Sequence, residues 1–132
     1  MNPSPTSLKR ILVVDDAATV RLYHRSILEG AGFAVDEAIN GVEALEKALA
    51  TPFDLYLVDI NMPKLDGYGF LRELRRQDIP QTPAVMISTE AQQKDQASAY
   101  AAGANFYLIK PIKPQDLLAA MRLLLGLPEG RA

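Results

Sequence analysis

Cysteine is absent from the 132-residue chain. That excludes disulfides and thiolate metal sites and suits the cytosol. Histidine occurs once, as His24, which argues against a zinc-type centre. No apolar stretch approaches the ~20 residues needed to span a bilayer. The start, Met1 to Lys9, lacks the apolar core of a signal peptide. There is no surplus of basic charge: Lys and Arg number 14 against 16 Asp and Glu, for a net charge of -2. Non-specific nucleic-acid binding needs a basic face and is not expected. Internal repeats, linkers and low-complexity tracts are also missing.

What is present is ordinary for a soluble domain: 48% hydrophobic and 23% charged residues. A chain of this length buries roughly two thirds of its unfolded surface, enough for one core without staples. The expected organisation is a Pro- and Ser-containing lead-in over 1–7, one domain over 8–126 and a short tail over 127–132. Only seven residues follow the last expected helix, so no second domain is expected in this chain.

Four short apolar runs each stop at a polar residue of a useful kind. Ile11 to Val14 runs into Asp15 and Asp16, and Leu55 to Val58 into Asp59. Ala84 to Ile87 runs into Ser88, and Phe106 to Ile109 into Lys110. Continuous apolar runs read as strands buried on both faces, as in a parallel sheet. The more mixed Phe33 to Ala38 reads as an edge strand.

Between the runs lie helical stripes: Val20, Tyr23, Ile27, Leu28 and Ala31; Val42, Leu45, Ala48 and Leu49; Phe70, Leu71 and Leu74; Leu117, Met121, Leu124 and Leu125. Gly32 and Gly103 fall where the first and fourth helices should end, Pro114 opens the last helix, and Gly126 and Pro128 stop it. Gln92 to Ala102 is the weakest helix, with little to bury beyond Ala97, Tyr100 and Ala101. A lightly anchored helix is a candidate for movement. Strand and helix alternate five times. This predicts a flavodoxin-like, doubly wound α/β domain with a five-stranded parallel sheet and helices on both faces. In such sheets ligands bind beyond the carboxyl ends of the strands.

All five polar residues then share one rim. Three carboxylates against one ammonium leave it negative, and clustered carboxylates either take up a proton or bind a cation. Mg²⁺ prefers oxygen ligands and is typically held by one or two carboxylates plus phosphate oxygens. Asp59, alone on the central strand, is the candidate nucleophile toward phosphorus. Lys110 and Ser88 are placed to meet phosphoryl oxygens. Each also has an ordinary role. Asp16 suits an N-cap for a helix starting near Ala17, Ser88 or Thr89 suits a cap for the weak helix, and Lys110 suits a surface position before Pro111. His24 is expected to be a partly exposed helix residue rather than a phosphorylation site.

With these motifs assembled, the chain resembles the receiver domain of bacterial two-component response regulators, especially the stand-alone CheY-like type. The resemblance spans about Lys9 to Leu125. It rests on Val14-Asp15-Asp16, on Asp59-Ile60-Asn61-Met62-Pro63 leading to Leu65-Asp66-Gly67, on Ser88 and on Lys110-Pro111. It implies strand order 2-1-3-4-5 and a cis bond before Pro111. It implies Asp59 as phosphoacceptor, with Asp16, Asp59 and the Asn61 carbonyl on Mg²⁺, Asp15 holding the metal through water, and Ser88 and Lys110 on the phosphoryl group. Tyr107 matches the aromatic switch position, and Asn61 and Glu90 match positions that tune phosphoryl lifetime. Thr89 departs from the usual Ala or Gly, and its bulk narrows access to the site. The implied partners are a histidine kinase or phosphotransfer protein and a target protein at the Gln92–Leu125 face. A cytoplasmic monomer that is not an enzyme, acting as output switch, phosphate sink or relay intermediate, is expected, with chemotaxis as one setting the resemblance offers. Two other classes compete. A Mg²⁺-dependent aspartyl-phosphate hydrolase would carry an acid where Asn61 stands. A flavin module would need a phosphate loop where Asp15 and Asp16 repel one.

Overall fold

A computed structural model describes residues 9–128; the expected lead-in and the end of the tail lie outside them. The chain forms β1 (Arg10–Val14), α1 (Ala18–Gly30), β2 (Ala34–Ala38), α2 (Gly41–Ala50) and β3 (Leu55–Asp59). It continues through α3 (Gly67–Arg76), β4 (Ala84–Ser88), α4 (Gln93–Ala102), β5 (Phe106–Ile109) and α5 (Pro114–Leu125). All five strands are parallel, in the order 2-1-3-4-5. The three inner strands are buried almost throughout, while β2 is mixed, as an edge strand should be.

Alternation along the strands divides the core in two. Leu12, Val14, Tyr56, Val58 and Met86 face α2, α3 and α4 with Phe70, Leu71 and Tyr107. Ile11, Val13, Leu55, Leu57, Val85 and Ile87 face α1 and α5 with Leu28, Leu117 and Met121. Asp59 continues the alternation of Leu55 and Leu57, and Lys110 that of Phe106 and Leu108. The carboxylate and the ammonium therefore leave the sheet on one side, with Ser88 and Tyr107 on the other.

The expected inward residues of three helices need correction. In α1 the buried residues are His24 and Leu28, whereas Tyr23 is half exposed. His24 is only 2% exposed rather than partly so, because α1 turns this residue toward the end of β5 and not toward solvent. In α2 Gly41, Ala44 and Ala48 face inward, and Val42 and Leu49 are exposed. Close approach to the β3–α3 loop selects small residues there: a Cβ at Gly41 would collide with the Leu65 backbone. In α4 the buried residues are Ala99 and Ala102, not Ala97, Tyr100 and Ala101. The third and last stripes pack as expected. Gly103 and Gly126 end α4 and α5 in the left-handed region, and Gly32 follows α1 at φ 100°.

Candidate functional site

Parallel pairing sends every strand's carboxyl end to one rim, and the rim gathers what the strands deliver. One carboxylate oxygen from each of Asp15, Asp16 and Asp59 lies within 4.8 Å of the others. Asp15 and Asp59 are buried, and Asp16 is exposed. Lys110 Nζ stands 3.0 Å from Asp15 Oδ2 and 3.0 Å from Asp59 Oδ1. Its strand is two places from β3, so its root lies about 10 Å from that strand. Only a long, flexible stem covers the gap.

The Asp15 carboxylate is spoken for on both oxygens, since Oδ1 accepts from the Ala17 N–H at 2.9 Å and Oδ2 pairs with Lys110. Asp16 does not cap α1; Ala17 is the N-cap, without a side-chain bond. Ser88 is buried, and its Oγ accepts from the Glu90 N–H at 3.0 Å. Neither it nor Thr89 caps α4, whose N-cap is Gln92. The Ser88 hydroxyl hydrogen remains for a further acceptor. Asn61, Thr89 and Glu90 are exposed around the opening. Thr89 shares a groove of about 290 Å³ with Tyr23, His24, Lys110 and Ile112. Tyr107 is turned inward, and its hydroxyl donates to the Glu90 carbonyl at 2.7 Å. The bond from Lys110 to Pro111 is cis.

Burial pushes the Asp59 carboxyl from 3.8 up to about 6, helped by the charges of Asp15 and Asp16 and opposed by Lys110. Burial alone would lower the Lys110 ammonium, but its hydrogen bonds to Asp15 and Asp59 outweigh that and raise it. Burial lowers His24, whose Nδ1 has no hydrogen-bond partner among the described residues.

The Asp59 turn is held by a glycine whose role spacing alone did not disclose. A Cβ on Gly67 would stand 2.6 Å from the Asp59 carbonyl and 2.9 Å from Ile60 Cα. The Gly67 N–H donates to the Ile60 carbonyl at 2.8 Å, and Asp66 Oδ1 caps α3 through the Gly69 N–H at 2.8 Å. The motif Leu65-Asp66-Gly67 thus closes the loop against the strand that carries Asp59. Sequence reasoning also passed over Arg21, whose Nη1 donates to the Asp15 carbonyl at 2.7 Å. Its one signal was its place, one helical turn into α1 after the acidic pair.

Every side-chain donor in the cluster is a carboxylate oxygen, with an exposed member open to solvent. Such a set fits a hard divalent cation that keeps some of its waters.

Comparison with known proteins finds relatives along most of the chain. Over 120 residues the chain is 36% identical to the transcriptional regulatory protein ResD of Bacillus subtilis, covering 91% of this chain and 49% of that protein. The chain spans about half the length of the curated relatives it matches. Among solved structures it is similar to the chemotaxis protein CheY4 of Vibrio cholerae. The TM-score is 0.85 at 35% identity, covering 89% of this chain and 98% of that one. It is also similar to the receiver domain of the sensor histidine kinase PA1611 of Pseudomonas aeruginosa, which has a magnesium ion coordinated in its active site cleft. There the TM-score is 0.84 at 30% identity, covering 89% and 98%. The family model described as response regulator receiver domain matches residues 11–122. That span takes in every rim residue from Asp15 to Lys110, and the chain belongs to the response regulator receiver domain family.

Proposed function

We propose that Asp59 accepts a phosphoryl group from a phosphohistidine on a histidine kinase or phosphotransfer protein. A carboxylate oxygen of Asp59 forms the new O–P bond while the P–N bond of the donor breaks, its electron pair staying on the imidazole nitrogen. The observation that carries this reading is the position of Lys110 Nζ, 3.0 Å from both Asp15 and Asp59 inside a three-carboxylate cluster. A lysine held there meets the oxygens of a group arriving at Asp59 and offsets their charge.

Asp16, Asp59 and the Asn61 carbonyl would hold Mg²⁺ directly, with Asp15 acting through water. The bound ion supplies charge stabilisation on the transferring oxygens. Ser88 donates its remaining hydroxyl hydrogen to another phosphoryl oxygen. Asn61, Thr89 and Glu90 ring the opening and set how readily water reaches the acyl phosphate. Asn61 offers an amide and no proton donor, so the chain is a switch and not a phosphohydrolase.

Output passes through Tyr107. Its hydroxyl is bonded to Glu90, two residues beyond Ser88, so a shift of Ser88 toward a phosphoryl group is felt by the α4–β5–α5 surface. A target protein docks on the Gln92–Leu125 face. Similarity to CheY4 over 98% of that chain supports a chemotaxis role. Acetyl phosphate with Mg²⁺ should add one phosphoryl group, seen by intact mass, and chelation or Asp59→Ala should abolish it. Undiminished labelling of Asp59→Ala would overturn the assignment.

A further inference from the structure

We infer that Arg21 is a positioning residue that sets the direction in which Asp16 leaves the acidic turn, an inference resting on Asp15, Asp16 and Asp59 holding a divalent cation. Arg21 sits in the first turns of α1, with its side chain 15% exposed. Its Nη1 donates to the backbone carbonyl of Asp15 at 2.7 Å, and its Nε donates to Glu37 Oε1 at 2.8 Å. The guanidinium is planar, so these two bonds fix its orientation.

Glu37 is itself anchored. Its other carboxylate oxygen accepts from Arg25 Nη1 at 2.5 Å, and Arg25 Nε reaches Glu29 Oε2 at 3.1 Å. Lys47 of α2 donates to the Glu37 backbone carbonyl. The chain of contacts runs from α2 through β2 and α1 to the turn.

Its effect falls on one peptide plane. The Asp15 N–H donates to the Ala38 carbonyl at 3.1 Å, and the Asp15 carboxylate is held by Ala17 and Lys110. Asp15 is therefore fixed without help. Asp16 is exposed and shares its peptide plane with the Asp15 carbonyl that Arg21 grips. Holding that carbonyl orients the plane, and the plane aims Asp16 at the cluster. Groups that orient metal ligands from behind typically change affinity by roughly 10- to 100-fold.

The sign of the effect separates this role from a charge role. A cationic side chain close to a cation site repels the ion, so a pure charge effect makes Arg21→Met bind Mg²⁺ more tightly. Positioning makes it bind more weakly. Titration of the full chain with MgCl₂ by calorimetry should show Arg21→Met about tenfold weaker or more. Thermal unfolding in chelator should confirm that the variant is folded, and its Asp16 amide resonance should shift in chelator. Arg21→Lys keeps the charge and loses the planar fork. It should bind at least about threefold more weakly, and it carries the test alone should Arg21→Met fail to fold. Equal or tighter binding by Arg21→Met, or wild-type affinity in Arg21→Lys, would overturn the inference. If the wild-type chain itself takes up no Mg²⁺, the cation reading falls first. If wild type and both variants bind alike, only the role of Arg21 falls.

Discussion

Burial holds the Asp59 carboxyl at about 6, above its ordinary 3.8, so the charged acid is unfavourable in the folded chain without a cation. The difference corresponds to ~3 kcal/mol at most. A carboxyl with a raised folded value destabilises the fold above that value. The penalty fades as pH drops through about 6 and is gone below the unfolded value. Asp59→Asn should therefore stabilise the protein at pH 8 in chelator by about 1–3 kcal/mol, and the gain should vanish by about pH 4. Urea unfolding across this range checks it. At this scale the sequence was legible where a residue ends a strand. Asp15, Asp59, Ser88 and Lys110 were all found that way. His24 was misjudged and Arg21 overlooked, because what buries or grips a helix residue comes from elements distant in sequence.

Among the elements, α4 is held least. It buries only Ala99 and Ala102, has no side-chain cap, and is tied to α3 through Tyr68, whose hydroxyl reaches the Asp95 carbonyl at 3.4 Å. Its carboxyl end is better fixed, since Arg75 Nη2 donates to the Gly103 carbonyl at 2.9 Å. Amide exchange should be faster in the first half of α4 than in any strand, measured by mass spectrometry. Equal protection of the two would remove the basis for a moving face. The β3–α3 turn is the opposite case. Gly67→Ala places a methyl against backbone that does not yield, and should cost about 1–3 kcal/mol in urea unfolding while weakening Mg²⁺ binding. Element order and type were readable from the runs and their punctuation. The inward faces of α1 and α2 were readable in part, through Ile27, Leu28 and Ala31 and through Leu45 and Ala48, and that of α4 was not, because small or polar residues also face inward where backbones approach closely.

For the molecule as a whole, the site lies along the carboxyl ends of β1, β3, β4 and β5, so its occupancy should report on global stability. A cation that binds only the folded state at about 100 times its Kd adds about 2.7 kcal/mol. The melting temperature should rise by roughly 10 °C with saturating Mg²⁺, and by much less in Asp59→Asn. An unchanged midpoint in the wild-type chain would remove the cation from the reading. No helix among the described residues is long and apolar enough to cross a membrane. The sequence by itself determined the alternating architecture and the residue types at each strand end, because local periodicity and punctuation are carried by neighbouring residues. The tertiary structure alone decided that Lys110 reaches both Asp15 and Asp59, that Tyr107 points inward to Glu90, and that Arg21 grips the acidic turn. These contacts depend on sheet order and helix packing, which join residues tens of positions apart that no local pattern connects.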